Sequence, residues 1–280
     1  MSPDIADRLS QRDFQRLASY IENYSGIKMP PSKITMVEGR LRKRVRATGM
    51  SDLKQYCDYL FEQNGLATEA IELINVVTTN KTEFFREPEH FRFLTEHAVP
   101  QIITTRGART PLKVWSAACS IGAEPYTLAM VLAEFAQLRY TITATDLSTE
   151  VLETAIAGIY PESMISPVPP DFRRRYVLRS RVRTRQQVRI VPQLRATAQF
   201  GRVNLMETPY PVDKEMDIIF CRNILIYFDK PTQEAVLQRL SEHLRPGGYM
   251  FLGHSESVAG FHLPLKAVAP SVFRRIETHS

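Results

Sequence analysis

Apolar residues recur at three- and four-residue intervals from the start of the chain to about Arg86, and no stretch there alternates as a strand would. Phe14, Leu17, Ala18 and Ile21 form one such arc, with Ser10 placed to start it and Gly26 to stop it. Ile34, Val37, Leu41 and Val45 form a second that stops at Gly49. Leu53, Tyr56, Cys57 and Leu60 form a third, opened by Ser51 and closing near Gly65, and Ala70, Leu73, Ile74 and Val77 a fourth. The expectation is a small all-helical domain and linker over residues 1–87.

The pattern changes at Pro88. A helix is predicted around Phe91 to Ile103, then a turn at Gly107 to Pro111, an apolar strand over Leu112 to Ala118 and a helix from Pro125 to about Gln137. Strand and helix then alternate: Tyr140 to Thr145 and Glu215 to Cys221 read as strands, Glu150 to Ala157 and Pro231 to Leu244 as helices. The Arg245-Pro246-Gly247-Gly248 turn stops the last helix and leads to a strand at Tyr249 to Gly253. This alternation implies an α/β domain over residues 88–280 with a doubly wound, mostly parallel sheet. One segment interrupts it: between about 172 and 200, Tyr176-Val177-Leu178, Val188 to Val191 and Ala196 to Phe200 read as short antiparallel strands of an inserted β-subdomain.

Composition narrows the class. Hydrophobic residues make up 44% and charged residues 24% of 280 residues, the balance of an ordinary globular protein. The apolar runs are too short to span a bilayer, and the N-terminus carries Asp4, Asp7 and Arg8 where a signal peptide would be apolar, so a cytoplasmic location without membrane insertion is expected. Cys57, Cys119 and Cys221 have no C-x-x-C spacing and read as small buried hydrophobes. The six histidines show no metal-binding spacing either, so no metal is expected. The net charge of +6 points to an anionic partner without saying which.

Open parallel sheets place ligands beyond the carboxyl ends of their strands. The first predicted strand runs into Ala118-Cys119-Ser120-Ile121-Gly122-Ala123-Glu124-Pro125, the second is followed by Asp146, and the strand ending at Cys221 is followed by Arg222-Asn223-Ile224-Leu225-Ile226-Tyr227-Phe228. A dinucleotide site needs a G-x-G-x-x-G turn for its pyrophosphate, whereas this turn has one glycine, and Glu124 would repel phosphate. Glu124 would instead attract the α-ammonium of S-adenosylmethionine, whose ribose hydroxyls suit an acid at Asp146. A Rossmann-like turn whose acids merely cap helices is the alternative.

Four segments together resemble the chemotaxis receptor methyltransferase (CheR) family: Asn80-Lys81-Thr82-Glu83-Phe84-Phe85-Arg86-Glu87, Ser120 to Tyr126, Phe220 to Phe228, and Gly253-His254-Ser255-Glu256-Ser257. Their order and spacing match over nearly the whole chain. The resemblance implies an N-terminal helical domain, then a class I (Rossmann-like) S-adenosylmethionine-dependent methyltransferase domain with a small inserted antiparallel β-subdomain. It implies a protein-glutamate O-methyltransferase that esterifies glutamates on the cytoplasmic domains of chemotaxis receptors, with S-adenosylhomocysteine as product. It further implies cofactor contacts by Asn80, Thr82, Arg86, Glu124, Asp146, Asn204, Leu205, Arg222 and Asn223, and places Arg86 and Tyr227 near the transferring methyl.

Two basic regions are candidates for the protein substrate. Arg40, Arg42, Lys43, Arg44 and Arg46 crowd the second helix opposite its apolar arc, so they are expected to point outward, toward the acidic helices that such receptors present. Arg173 to Arg175, Arg179, Arg181, Arg183, Arg185 and Arg189 lie in the inserted subdomain, which in some relatives adds a receptor's C-terminal peptide to its sheet edge. Its Arg181 to Gln187 loop has no glycine, a departure that argues against tethering here.

Other functions find less support. A nucleic-acid methyltransferase could track phosphates with the arginines, but the D/N-P-P-Y/F segment of amino-methylating enzymes is absent, since Ile224 and Leu225 follow Asn223. Nucleic acid is therefore not expected as a partner. Gly253-His254-Ser255-Glu256-Ser257 approaches the hydrolase G-x-S-x-G turn but lacks the last glycine. A non-catalytic binding module is opposed by the presence of Arg86, Asp146 and Tyr227.

Overall fold

The computed structural model describes residues 7–107, 109–135 and 138–276. Asp4, the Ala108 of the Gly107 to Pro111 turn, and Gln137 lie outside them. Ser10 caps α1 (Gln11–Ser25) by accepting the Asp13 N–H at 3.1 Å, and Gly26 ends it in the left-handed conformation, φ 73°. α2 (Ile34–Thr48) ends likewise on Gly49. α3 (Leu53–Glu62) is capped by Asp52 rather than Ser51, because the Asp52 carboxylate accepts the Gln55 N–H, and α4 (Leu66–Val77) follows. The apolar arcs are buried as expected, including Phe14, Leu17, Leu41, Tyr56 and Leu73.

The second half begins with α5 (Pro88–Phe93), which passes through a π turn at Leu94–Ala98 into α6 (Val99–Arg106). Then come β1 (Leu112–Ala117), α7 (Ala123–Leu132), β2 (Tyr140–Asp146) and α8 (Thr149–Ala157). They are followed by β3 (Ile159–Pro161), α9 (Pro170–Tyr176), β4 (Val177–Arg179), β5 (Gln187–Ile190), α10 (Pro192–Arg195) and β6 (Ala198–Arg202). β7 (Met216–Cys221), α11 (Lys230–His243), β8 (Leu244–Leu252), β9 (Leu265–Ala269) and β10 (Val272–Arg275) complete the chain.

The main sheet has the order β6-β2-β1-β7-β8-β10-β9. Its first five strands are parallel, and β10 and β9 close the edge antiparallel. Strand order reverses beside β1, so the carboxyl ends of β1, β2 and β7 form the crevice where such sheets hold ligands.

Three expectations need correction. Ala196 to Phe200 was expected in the antiparallel insertion, but β6 pairs parallel with β2, from Ile142↔Ala198 to Asp146↔Arg202, and belongs to the main sheet. The inserted sheet is β3-β5-β4 and begins at Ile159, a three-residue strand too short to show alternation. The Arg245-Pro246-Gly247-Gly248 turn does not precede β8 but forms an irregularity inside it, where the register with β7 jumps between Met216 and Ile218.

Successive residues of the central strands point to opposite faces, and both faces are covered. Val114, Ile218, Phe220 and Phe251 pack with α5 to α7 on one face. Trp115, Ala117, Ile219, Cys221 and Leu252 pack on the other with α11 and with the helical domain, in one continuous core that includes Leu17, Leu41 and Val77. At about 25 cal/mol per Å² of apolar surface, this shared core fixes the helical domain against the crevice. Asp217, fully buried in β7, accepts from Arg106, Arg245 and the Lys113 N–H, which satisfies its charge. Among the described residues no helix is long and apolar enough to cross a membrane.

Candidate functional site

The crevice is a cleft lined from both halves of the molecule. Asn80, Thr82 and Arg86 reach it from the 78–87 segment, Glu124 from the start of α7, Asp146 from the end of β2, Asn204 and Leu205 from the turn after β6, and Arg222, Asn223 and Tyr227 from the segment after β7. All ten residues expected at the cofactor or the transferring methyl thus share one cleft.

The floor is built by tight turns. Ala118, Ser120 and Gly122 have φ of 60°, 51° and 88°. Glycine is needed at 122 for a further reason: a Cβ there would lie 2.8 Å from the Ala155 Cβ, so the close approach is to α8. Asp146 accepts the Ser120 N–H on Oδ2 at 2.8 Å and the Ser148 N–H on Oδ1 at 3.0 Å. Burial pushes its carboxyl pKa up, against those backbone donors. Each oxygen retains a second lone pair, the equipment for a ribose diol.

Arg222 lines the cleft and also has a structural task there. Its side chain is 2% exposed and its donors are used internally. Nη1 donates to Glu124 Oε2 at 3.0 Å, Nη2 to Glu87 Oε2 at 2.9 Å and to the Arg86 carbonyl at 2.5 Å, and Nε to Glu87 Oε2 at 3.3 Å. It therefore clamps the Arg86 segment to the sheet. Glu124, which also accepts from Ser116 Oγ at 2.7 Å, already holds a cation; burial raises its pKa and Arg222 opposes that rise. Burial likewise acts to raise Glu87, but the hydrogen bonds and charge of Arg222, with Asn223, hold it down at about 2.

Arg86 itself stays available. Its Nη1 donates to the Lys81 carbonyl at 3.0 Å, and the surface ion pair that Glu87 and Glu89 suggest is not formed, since Glu87 holds Arg222 and Glu89 holds Arg92. Asn80 and Thr82 do not cap α5, which starts from Glu87 without a side-chain cap. Asn80 accepts from Ser120 Oγ through its carbonyl at 3.1 Å, tying this segment to the floor. Asn204 is spent on structure, donating to the Tyr24 carbonyl at 2.7 Å and accepting the Met206 N–H at 3.1 Å.

Two contributions were not foreseen. Lys33, in the turn before α2, lines the cleft with its Nζ 5.5 Å from the Tyr227 ring centroid, and burial lowers its pKa with help from Arg40. Nothing in its sequence neighbourhood distinguishes it from a surface lysine. Glu256 is buried and accepts three backbone N–H groups, from Gly253 at 2.6 Å, Leu225 at 2.7 Å and Asn223 at 3.0 Å. The Gly253 to Ser257 segment is thus a brace for the Asn223 turn, whose φ is 59°.

The basic helix differs from expectation. Arg44 pairs with Glu69 and Glu72, Arg40 donates to the carbonyls of Val77 and Thr78, and Arg42 meets Asp7. These three turn inward to α4 and the N-terminal segment, because a long side chain flanking an apolar arc can reach the neighbouring backbone. Lys43, paired with Glu150, and Arg46 are exposed. They are what remains of the expected outward face.

Comparisons with known proteins identify the family. Residues 80–272 match the CheR methyltransferase SAM-binding domain, and residues 12–78 the CheR methyltransferase all-alpha domain. The chain is 41% identical over 252 residues to a chemotaxis protein methyltransferase of Salmonella typhimurium, covering 89% of this chain and 85% of that one. It is 37% identical over 268 residues to chemotaxis protein methyltransferase 2 of Pseudomonas aeruginosa, covering 94% and 93%. It is 32% identical over 274 residues to the chemotaxis protein methyltransferase of Borreliella burgdorferi, covering 95% of each chain. With both domain models matched in order, and a helical domain packed on a seven-stranded sheet, this chain belongs to the CheR family of chemotaxis methyltransferases, whose methyl donor is S-adenosylmethionine.

Proposed function

We propose that the chain transfers the methyl of S-adenosylmethionine to glutamate side chains of chemotaxis receptors, forming methyl esters for chemotactic adaptation. The observation that carries this reading is that Arg86 and Tyr227, from separate segments of the chain, line the same cleft as Asp146. A glutamate has a reference pKa near 4.3 and is already a nucleophile at neutral pH, so no general base is required. The bound cofactor supplies an electrophilic sulfonium methyl. Asp146 holds the ribose and Glu124, shared with Arg222, stands on the floor beside it. Arg86 orients the attacking carboxylate, and Tyr227 completes the wall and excludes water.

Catalysis then rests on alignment within about 3 to 3.5 Å and on desolvation. That fits a site whose most elaborate hydrogen bonding, around Arg222, serves to fix position. The deciding experiment is incubation with labelled cofactor and a receptor cytoplasmic fragment, followed by alkali. Volatile labelled methanol is expected, because esters are base-labile. Label that stays on protein or nucleic acid after alkali would sink the glutamate reading.

A further inference from the structure

Glu87, His90 and His254 stand together just outside the residues that line the cleft. One ligand atom from each lies within 4.8 Å of the others. His90 Nδ1 is 3.4 Å from Glu87 Oε2, and His254 Nε2 is 4.0 Å from the same oxygen. Around a tetrahedral zinc with bonds of about 2.0 to 2.1 Å, neighbouring ligand atoms stand roughly 3.4 Å apart. The cluster is near that size without an ion.

His90 supplies an independent sign. It is 1% exposed, and among the described residues neither buried ring nitrogen has a hydrogen-bond partner. Buried polar groups are almost always satisfied, so an imidazole left without partners beside a carboxylate and a second imidazole calls for an explanation. Arg222, a hydrogen-bonding partner of Glu87, stands where such partners of ligating carboxylates usually stand.

We propose that Glu87, His90 and His254 bind a divalent ion of zinc chemistry, with two imidazoles, one carboxylate and an open position. Entry is from the His254 side, whose side chain is 49% exposed. The linear spacing hid the set, because two ligands share one helical turn and the third follows the last parallel strand of the sheet. Glu87 also holds Arg222 and Asn223, so an ion here stiffens the wall beside the cleft. The three cysteines are buried and do not compete for it in the folded chain.

The test titrates the full chain, stripped of metal by a chelator, with CoCl2 and follows the visible absorption of the ion, then displaces it with ZnCl2. One equivalent with the intense bands of a four- or five-coordinate site is expected. His254→Ala, at a surface position, should keep its circular dichroism and weaken Co2+ and Zn2+ binding at least about tenfold. His262→Ala, an exposed histidine paired with Glu234, should bind as the parent does. The site is refuted if the parent gives no such bands, or if His254→Ala binds either ion as tightly as the parent.

Discussion

Arg44 and Glu69 join α2 to α4 in a two-point ion pair, Nη2 to Oε1 at 2.7 Å and Nε to Oε2 at 3.0 Å, with both side chains largely buried. Tyr56 donates to the same carboxylate at 3.0 Å. Removing one partner of a buried pair strands the other, so Arg44→Ala should destabilise the chain by about 3 kcal/mol in urea unfolding. Arg44→Lys should recover little of this, because an ammonium cannot make both contacts. A loss within about 0.5 kcal/mol, typical of surface changes, would show that Arg44 is a solvated cation after all.

Asp146 should matter to the cofactor more than to the fold. Asp146→Asn keeps one acceptor for the Ser120 or Ser148 N–H but loses the charge and a ribose acceptor. Calorimetry with S-adenosylhomocysteine should show a loss of about 1 to 3 kcal/mol, the range for hydrogen bonds to a charged group. Unchanged affinity in a folded variant would place the ribose elsewhere.

For Arg86 the expectation is the reverse of that for Arg44. Among the described residues its guanidinium makes one hydrogen bond, to the Lys81 carbonyl, and the clamp on this segment is made by Arg222 through the Arg86 backbone. Arg86→Ala should therefore melt like the parent and lose about a hundredfold in methyl transfer, the scale of a misaligned reactant. A lower melting temperature with turnover preserved would return Arg86 to a structural role.

What the sequence disclosed depended on whether a local pattern carries the information. The helical arcs, the strands near 112, 140 and 216, and the strand-end acids were legible because periodicity and capping are local. β6 was misassigned because alternation identifies a strand but not its partner, and its parallel neighbour β2 lies across the whole insertion. The basic face of α2 was misjudged because helix spacing places Arg40 and Arg44 off the apolar arc without showing that α4 lies within their reach. The work of Arg222 was invisible for the same reason: Glu87 and Glu124 are distant in sequence and meet only at the end of β7.

Burial protects the thiols. Cys57 is pushed up to about 12 by burial, with Asp13 and Asp58 adding to it, and Cys119 and Cys221 are raised well above the ordinary thiol range by the same cause. Only the thiolate attacks a disulfide reagent, so none of the three should react at pH 7 to 8 in the native chain, and all three should react in denaturant. Rapid native labelling of even one would contradict the buried packing of its segment.

The receptor reading places docking on the exposed part of α2. Lys43 and Arg46 remain at its surface, in the domain whose Lys33 lines the cleft, so a partner helix lying along α2 would reach the chemistry directly. Reversing both to glutamate should slow methylation of a receptor fragment by weakening encounter, while affinity for S-adenosylhomocysteine stays unchanged. Salt should shrink the difference, since exposed charges are screened beyond about 8 to 10 Å. Arg42, tied to Asp7, should contribute less than Arg46 when reversed alone. If the double variant matches the parent at low salt, α2 is a solvated face, and the arginines of the inserted sheet become the surface to reverse next.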